Sequence, residues 1–281
     1  MDTVPFYAQE QYQCGPAALA MVLEAGGLRV DPETLRPEVY LPDRHGSLQI
    51  EMLAAARRNG FVAVELNPSL SDLIAEIAAG NPVVVLQNLA LDWHPVWHYA
   101  VAVGYDLSAQ RIVLHSGMER RMEMPLATFE RTWKRSGYWA MLALPPGRLP
   151  ASIKAADYLG AVAKLEKAGP RGSAHAAYQR ALERWPDQLT ALIGLGNTAY
   201  RAGDLQEAEQ AFRRATVAHP ESAAAHNNLA QTLADLDRYD EALAEARVAV
   251  GLGGPFETTS VHTLDAIVAR APNPGLRDAG R

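Results

Sequence analysis

Cys14, the sole cysteine of the 281-residue chain, stands directly before Gly15-Pro16 and an apolar run from Ala17 to Leu23. A thiol attacks carbonyl carbon only as the thiolate, and at its ordinary pKa of about 8.5 little thiolate exists at neutral pH. Two devices would correct this. Proline in the first turn and Gly26-Gly27 beyond the last predict a helix, which sets Cys14 at a positive helix end that favours an anion. An imidazole near the sulfur would hold the proton and later give it to a leaving amine. His98, heading the run His98 to Tyr105, is the candidate, so a distant strand must return to the helix start. Gly15 would let backbone amides approach an oxyanion beside the sulfur. Alone, Cys14 reads as a small core hydrophobe and His98 as a strand histidine satisfied by a carbonyl; together they carry chemistry.

Composition narrows the alternatives. Hydrophobic residues make up 48% and charged residues 21% of the chain, as in ordinary globular proteins. A net charge of −6 with no cluster of Lys and Arg argues against nucleic acid. Runs such as Pro82 to Leu86 and Ala100 to Val103 are too short for a bilayer span of about 20 residues. One cysteine excludes an internal disulfide and any multi-cysteine metal site. His45, His94 and His115 lack ligand spacing with a carboxylate, so neither a metal nor another cofactor is expected. The start, Met1 to Pro5, lacks a basic stretch and an apolar run, and as written the chain reads as cytoplasmic; a removed upstream export signal or lipid anchor would place it in the periplasm or at a membrane.

The elements that must position the two residues follow from periodicity. A second helix is predicted from Ser47, as N-cap, to Asn59-Gly60, and a third from about Ser71 to Ala79. Strands are expected at Val83–Gln87, His98–Tyr105, Arg111–His115 and Tyr138–Leu144, the middle two joined by a hairpin through residues 106–110. Helices followed by an antiparallel sheet make an α+β domain. Trp93, Trp97, Trp133 and Trp139 read as core or cleft walls, Asp92 and Asp106 as turn residues, and Glu119-Arg120-Arg121 as a solvated turn or strand end.

The character of the chain changes at Pro145-Pro146-Gly147-Arg148-Leu149-Pro150, a boundary signal. The expected domains are 1–148 and 149–281. Beyond it Ala208 and Ala242, Ala215 and Ala249, Leu195 and Leu229, and Leu205 and Tyr239 recur at one fixed spacing. Leu195-Gly196, Tyr200, Gly203-Asp204, Ala208, Phe212, Ala215 and Pro220 resemble the tetratricopeptide repeat, with a next repeat from Ala223 and a degenerate earlier one at Tyr178, Ala181 and Trp185-Pro186. About three repeats, residues 152–255, imply an all-α domain that offers a concave surface to a protein or peptide partner.

In the first domain, the segment from Gln9 to Met21 around Gln13-Cys14-Gly15-Pro16 resembles the nucleophile segment of the bacteriocin-processing, double-glycine type of papain-like cysteine peptidase. Trp97-His98-Tyr99 to Asp106 resembles its histidine strand, and His45-Gly46-Ser47, Gly60-Phe61 and Ala79 to Val85 fall in the family's order between them. The resemblance covers residues 4–144. It implies that Cys14 is the nucleophile, His98 the base, and an upstream glutamine an oxyanion donor: Gln9 by preference, with Gln11 and Gln13 as rivals. Similar enzymes orient the histidine with an Asp at the end of the following strand. Here that stretch reads Leu114-His115-Ser116-Gly117, so Ser116 is the expected substitute, a weaker support for an imidazolium. The resemblance thus implies a bacterial-type cysteine peptidase working through a thioester. Two alternatives stand beside it: a catalytically weak or inactive peptide-binding module and scaffold, and an amide or acyl transferase on the same fold.

Overall fold

In the computed structural model, which describes residues 1, 3–8, 14–44 and 46–271, the run after Cys14 forms helix α1 (Cys14–Ala25). Gly15 through Leu23 are all buried, so this helix is enclosed on every side, as its unbroken apolar sequence requires. After α2 (Pro32–Val39), a two-stranded ladder of β1 (Tyr40–Leu41) and β2 (Gly46–Ser47) leads into α3 (Gln49–Arg58). β3 (Val62–Glu65), α4 (Leu70–Ala78), β4 (Val83–Asn88), β5 (Trp97–Asp106), β6 (Arg111–Ser116), β7 (Glu119–Pro125), α5 (Leu126–Lys134) and β8 (Ala140–Leu144) follow.

Six strands make one antiparallel sheet in the order β3-β8-β4-β5-β6-β7. Alternation along the strands assigns its faces. Val84 and Leu86 of β4, Tyr99, Val101 and Val103 of β5, and Met141 and Ala143 of β8 share a core with α1 and α3. The opposite face carries Gln87, whose Nε2 donates to Thr132 Oγ1 of α5 at 2.7 Å. At one edge, β7 presents exposed Glu119, Arg120, Arg121 and Glu123.

Several elements differ from the sequence expectation. Ser47 does not cap α3: its backbone pairs with Tyr40, and Leu48 takes the cap position. α4 starts one residue early because Ser69 Oγ accepts from Asp72 N–H. Glu119 to Arg121 open a full strand, and α2, β3 and α5 were not anticipated. Trp133 is wholly buried, as a core residue should be, but Trp93 is 81% and Trp97 52% exposed. Asp106 does shape its turn, accepting from Ala109 N–H and Ser108 Oγ.

The chain divides into two compact units, Met1–Arg180 and Ala181–Arg281. The first also contains α6 (Ala155–Ala168) and the start of α7 (Ser173–Arg184), and the segment after β8 is tied into it. Glu76 of α4, wholly buried, accepts from Ser152 N–H, Ser152 Oγ and Asn81 Nδ2, each at 2.7 Å. The second unit is helical: α8 (Leu189–Ala202), α9 (Leu205–Ala218), α10 (Ala223–Asp235), α11 (Tyr239–Leu252) and α12 (Glu257–Arg270). Between α8 and α9, Gly203 at φ 85° closes one helix and Asp204 caps the next. Gly196 is required because a Cβ there would overlap the Phe212 ring. Ala208, Phe212, Leu229, Ala230, Ala242 and Ala246 form the shared core, and the small residues let the helices approach. Among the described residues no helix is long and apolar enough to cross a membrane.

Replacing Glu76 by Ala strands buried donors of Asn81 and Ser152, and should cost on the order of 3 kcal/mol. Urea unfolding of the full chain measures this; a loss below about 0.5 kcal/mol, the usual range for a surface change, would contradict it.

Candidate active site

Cys14 is the first residue of α1 and half-buried, as is His98 near the start of β5. Three backbone N–H groups address the sulfur: those of Cys14 and Gly15 at the helix start, and that of Tyr99. The last belongs to the peptide unit joining His98 to Tyr99, so the strand that carries the imidazole meets the thiol directly. Tyr99 fastens this junction at two further points. Its hydroxyl donates to Ser47 O at 3.1 Å, and its ring meets Trp139 edge-on at 5.7 Å. Ser47 in turn occupies the space above Gly15, where a Cβ would lie 2.6 Å from that of Ser47. Gly15 is therefore demanded by packing against Ser47, a reason the sequence did not disclose.

The electrostatics run against the simple expectation for a helix-start cysteine. Burial pushes the Cys14 thiol above its ordinary value, and the three N–H groups pull it down by less than burial raises it. Burial also pushes the His98 imidazole below its ordinary value. Both shifts favour the uncharged forms. The sequence implied a thiol lowered by helix and histidine; here burial outweighs the three backbone N–H groups.

His98 Nε2 and Ser116 Oγ share a hydrogen bond at 2.9 Å. Ser116, at the end of β6, is 8% exposed. The other ring nitrogen, Nδ1, has no hydrogen-bond partner among the described residues. Gln87, paired with His98 across β4 and β5, lies beside it on the same face, fully buried with Oε1 unpartnered among the described residues. His115, next to Ser116, is engaged elsewhere. Its Nδ1 accepts from Arg121 N–H, its Nε2 lies 3.3 Å from Val4 O, and its ring packs edge-on against Phe6. Gln9, Gln11, Gln13 and His45 lie outside the described residues. Tyr99 and Gln87 were not singled out from sequence, although the alternation of β5 would have sent Tyr99 to the face of α1.

Comparison with known proteins bears on the two parts of the chain separately. The model of the Peptidase_C39 like family matches residues 1–141, half of the chain. The chain belongs to the Peptidase_C39 like family. The tetratricopeptide repeat model matches residues 158–220 and 196–255 of this family member. Among solved structures it is similar to a C39-like peptidase from Bacillus anthracis, at 20% identity and a TM-score of 0.43, covering 51% of this chain and 96% of that one. It is also similar to a Thermobaculum terrenum O-GlcNAc transferase mutant, at 24% identity and a TM-score of 0.37, covering 39% of this chain and 21% of that one. No curated protein matches it.

Gly15→Ala in this Peptidase_C39 like domain should displace Ser47 and cost about 1–3 kcal/mol, the usual penalty of overpacking. Adding Ser47→Gly should return most of that loss in a thermal melt. A double variant no more stable than Gly15→Ala would show that Ser47 is not what Gly15 accommodates.

Proposed function

We propose that the chain is a cysteine peptidase that hydrolyses peptide bonds through a thioester on Cys14, with the repeats serving a protein partner. The observation that carries this reading is the contact of the Cys14 sulfur with the His98–Tyr99 peptide unit at the start of α1. His98 is held through Nε2 by Ser116, which leaves Nδ1 for proton transfer. In the reaction the sulfur bonds to the scissile carbonyl carbon while its proton passes to His98. The carbon–nitrogen bond then breaks and that proton leaves with the amine. Water, deprotonated by His98, attacks the thioester; the acid departs and the proton returns to sulfur. The helix-start N–H groups beside the sulfur support oxyanion stabilisation there, and an upstream glutamine, Gln9 in the family pattern, would complement them.

Because both shifts favour a neutral pair, the proton moves as attack occurs, and no standing ion pair precedes it. The same neutrality favours a second reading, in which the site grips a peptide without cutting it. Cys14→Ala should abolish cleavage in a peptide-library screen while leaving the far-UV circular dichroism unchanged. Cleavage that persists would remove the peptidase reading, and a wild-type chain that cuts nothing in the screen would favour the second.

The raised thiol and lowered imidazole predict the pH response of Cys14 alkylation by iodoacetamide. Thiolate accumulates only as pH climbs past about 8.5, so the rate should keep rising there and show no plateau at lower pH. A plateau near pH 6 would reveal a thiolate–imidazolium pair and sink the neutral resting state. Ser116→Asp should support the imidazolium and raise kcat by about tenfold, the equivalent of one pKa unit. Ser116→Ala should lower it by less than that; a larger loss would make the hydroxyl a stronger partner than its neutrality allows.

A further inference from the structure

Five large apolar side chains project into solvent within nine residues: Leu89, Leu91, Trp93, Val96 and Trp97, exposed between 46% and 81%. They sit on the hairpin that joins β4 to β5. Met118, 70% exposed, lies on the turn between β6 and β7. Exposed apolar residues scattered singly need no explanation, but a contiguous group is characteristic of an interaction site. The hairpin is also held rigid. Asn88, itself buried, accepts through Oδ1 from the N–H groups of Ala90 and Val96 at 3.1 and 3.0 Å. Leu89 N–H donates to Val96 O, and Arg135 Nη1 donates to Ala90 O at 2.7 Å. A buried side chain and a guanidinium from another element thus tie down the backbone of the hairpin that carries the two tryptophans.

These residues adjoin the site. Trp97 is two residues from Tyr99 along β5 and so lies on the same face of the sheet, the face that Cys14 approaches. Met118 follows Ser116, the hydroxyl on His98, by two residues. The apolar segments therefore adjoin His98 along its own strand, where Trp97 precedes it on the α1 face, and along the neighbouring one, where Met118 follows Ser116. In a thioester reaction the leaving amine must sit on the group that protonates it, so the peptide beyond that amine runs out on the His98 side.

We propose that this hairpin and turn form the subsite for the two or three residues that follow the cleaved bond, and select large apolar side chains there. The proposal rests on the Cys14 and His98 assignment above. A peptide fits better than a membrane surface, because Asp92, 82% exposed although 3.9 Å from Arg135 Nε, stands among the apolar side chains of the tip, where insertion into lipid would have to desolvate it, and the chain carries a net charge of −6.

Binding can be tested without turnover. Peptide amides with a free amino terminus, beginning Leu-Phe-Leu or Ser-Asn-Ser, are titrated calorimetrically into the full chain carrying Cys14→Ala. The apolar peptide should bind at least tenfold more tightly, and Trp97→Ser or Trp93→Ser, checked for folding by thermal melt, should each erase most of that preference. Equal binding of the two peptides, or a preference untouched by both tryptophan variants, overturns the subsite. Tryptophan-dependent binding to vesicles of phosphatidylcholine and phosphatidylglycerol with no peptide preference also overturns it and assigns the tip to a membrane. Internally quenched peptides differing only at those positions then separate the two readings. A preference in binding with no cleavage of any peptide condemns the peptidase assignment and leaves the subsite standing. Cleavage indifferent to the residues after the bond does the reverse.

Discussion

Tyr99 is the joint on which the site depends. Its backbone N–H meets the Cys14 sulfur, its hydroxyl holds the carbonyl of Ser47, and its ring abuts Trp139. Strand, helix start and the short β1–β2 ladder are thereby fixed to one buried residue, 3% exposed. Ser47 then presses on Gly15, the only residue type that leaves room for it. The position of the thiol is consequently set by backbone and packing, with no contribution from a long flexible side chain.

The same enclosure determines the charge state. Burying the helix start and the head of β5 removes water from both titrating groups, and desolvation disfavours thiolate and imidazolium alike. A carboxylate beside His98 would counter this for the imidazole; Ser116 supplies only a dipole. The half-buried sulfur is met instead by three backbone N–H groups, whose pull on any anion beside them is stronger than it would be in water.

Sequence disclosed the parts of this arrangement that rest on local rules. Pro16 and Gly26-Gly27 bounded α1, turn chemistry at Asp106 located the β5–β6 hairpin, and the recurrence of Leu195, Ala208 and Ala215 at Leu229, Ala242 and Ala249 revealed the repeats. It was mute where a tertiary partner decides. Ser47 looks like a helix cap until its backbone is seen to pair with Tyr40, and β3 is too short to announce itself without β8 beside it. The tryptophans illustrate the same limit. Composition predicts that such residues are covered, and Trp133 is, but nothing in the string of letters distinguishes it from Trp93, which the hairpin holds in solvent.

The open margin of the sheet has its own consequence. β7 ends the ladder, and an unpaired strand is ordinarily a template on which another chain can nucleate. Glu119, Arg120, Arg121 and Glu123 stud that margin with charges of both signs. A second molecule attempting to extend the ladder would have to desolvate them in a register it cannot neutralise throughout. Mixed charge makes that margin a poor template for another strand, while the turns nearby hold apolar side chains in water.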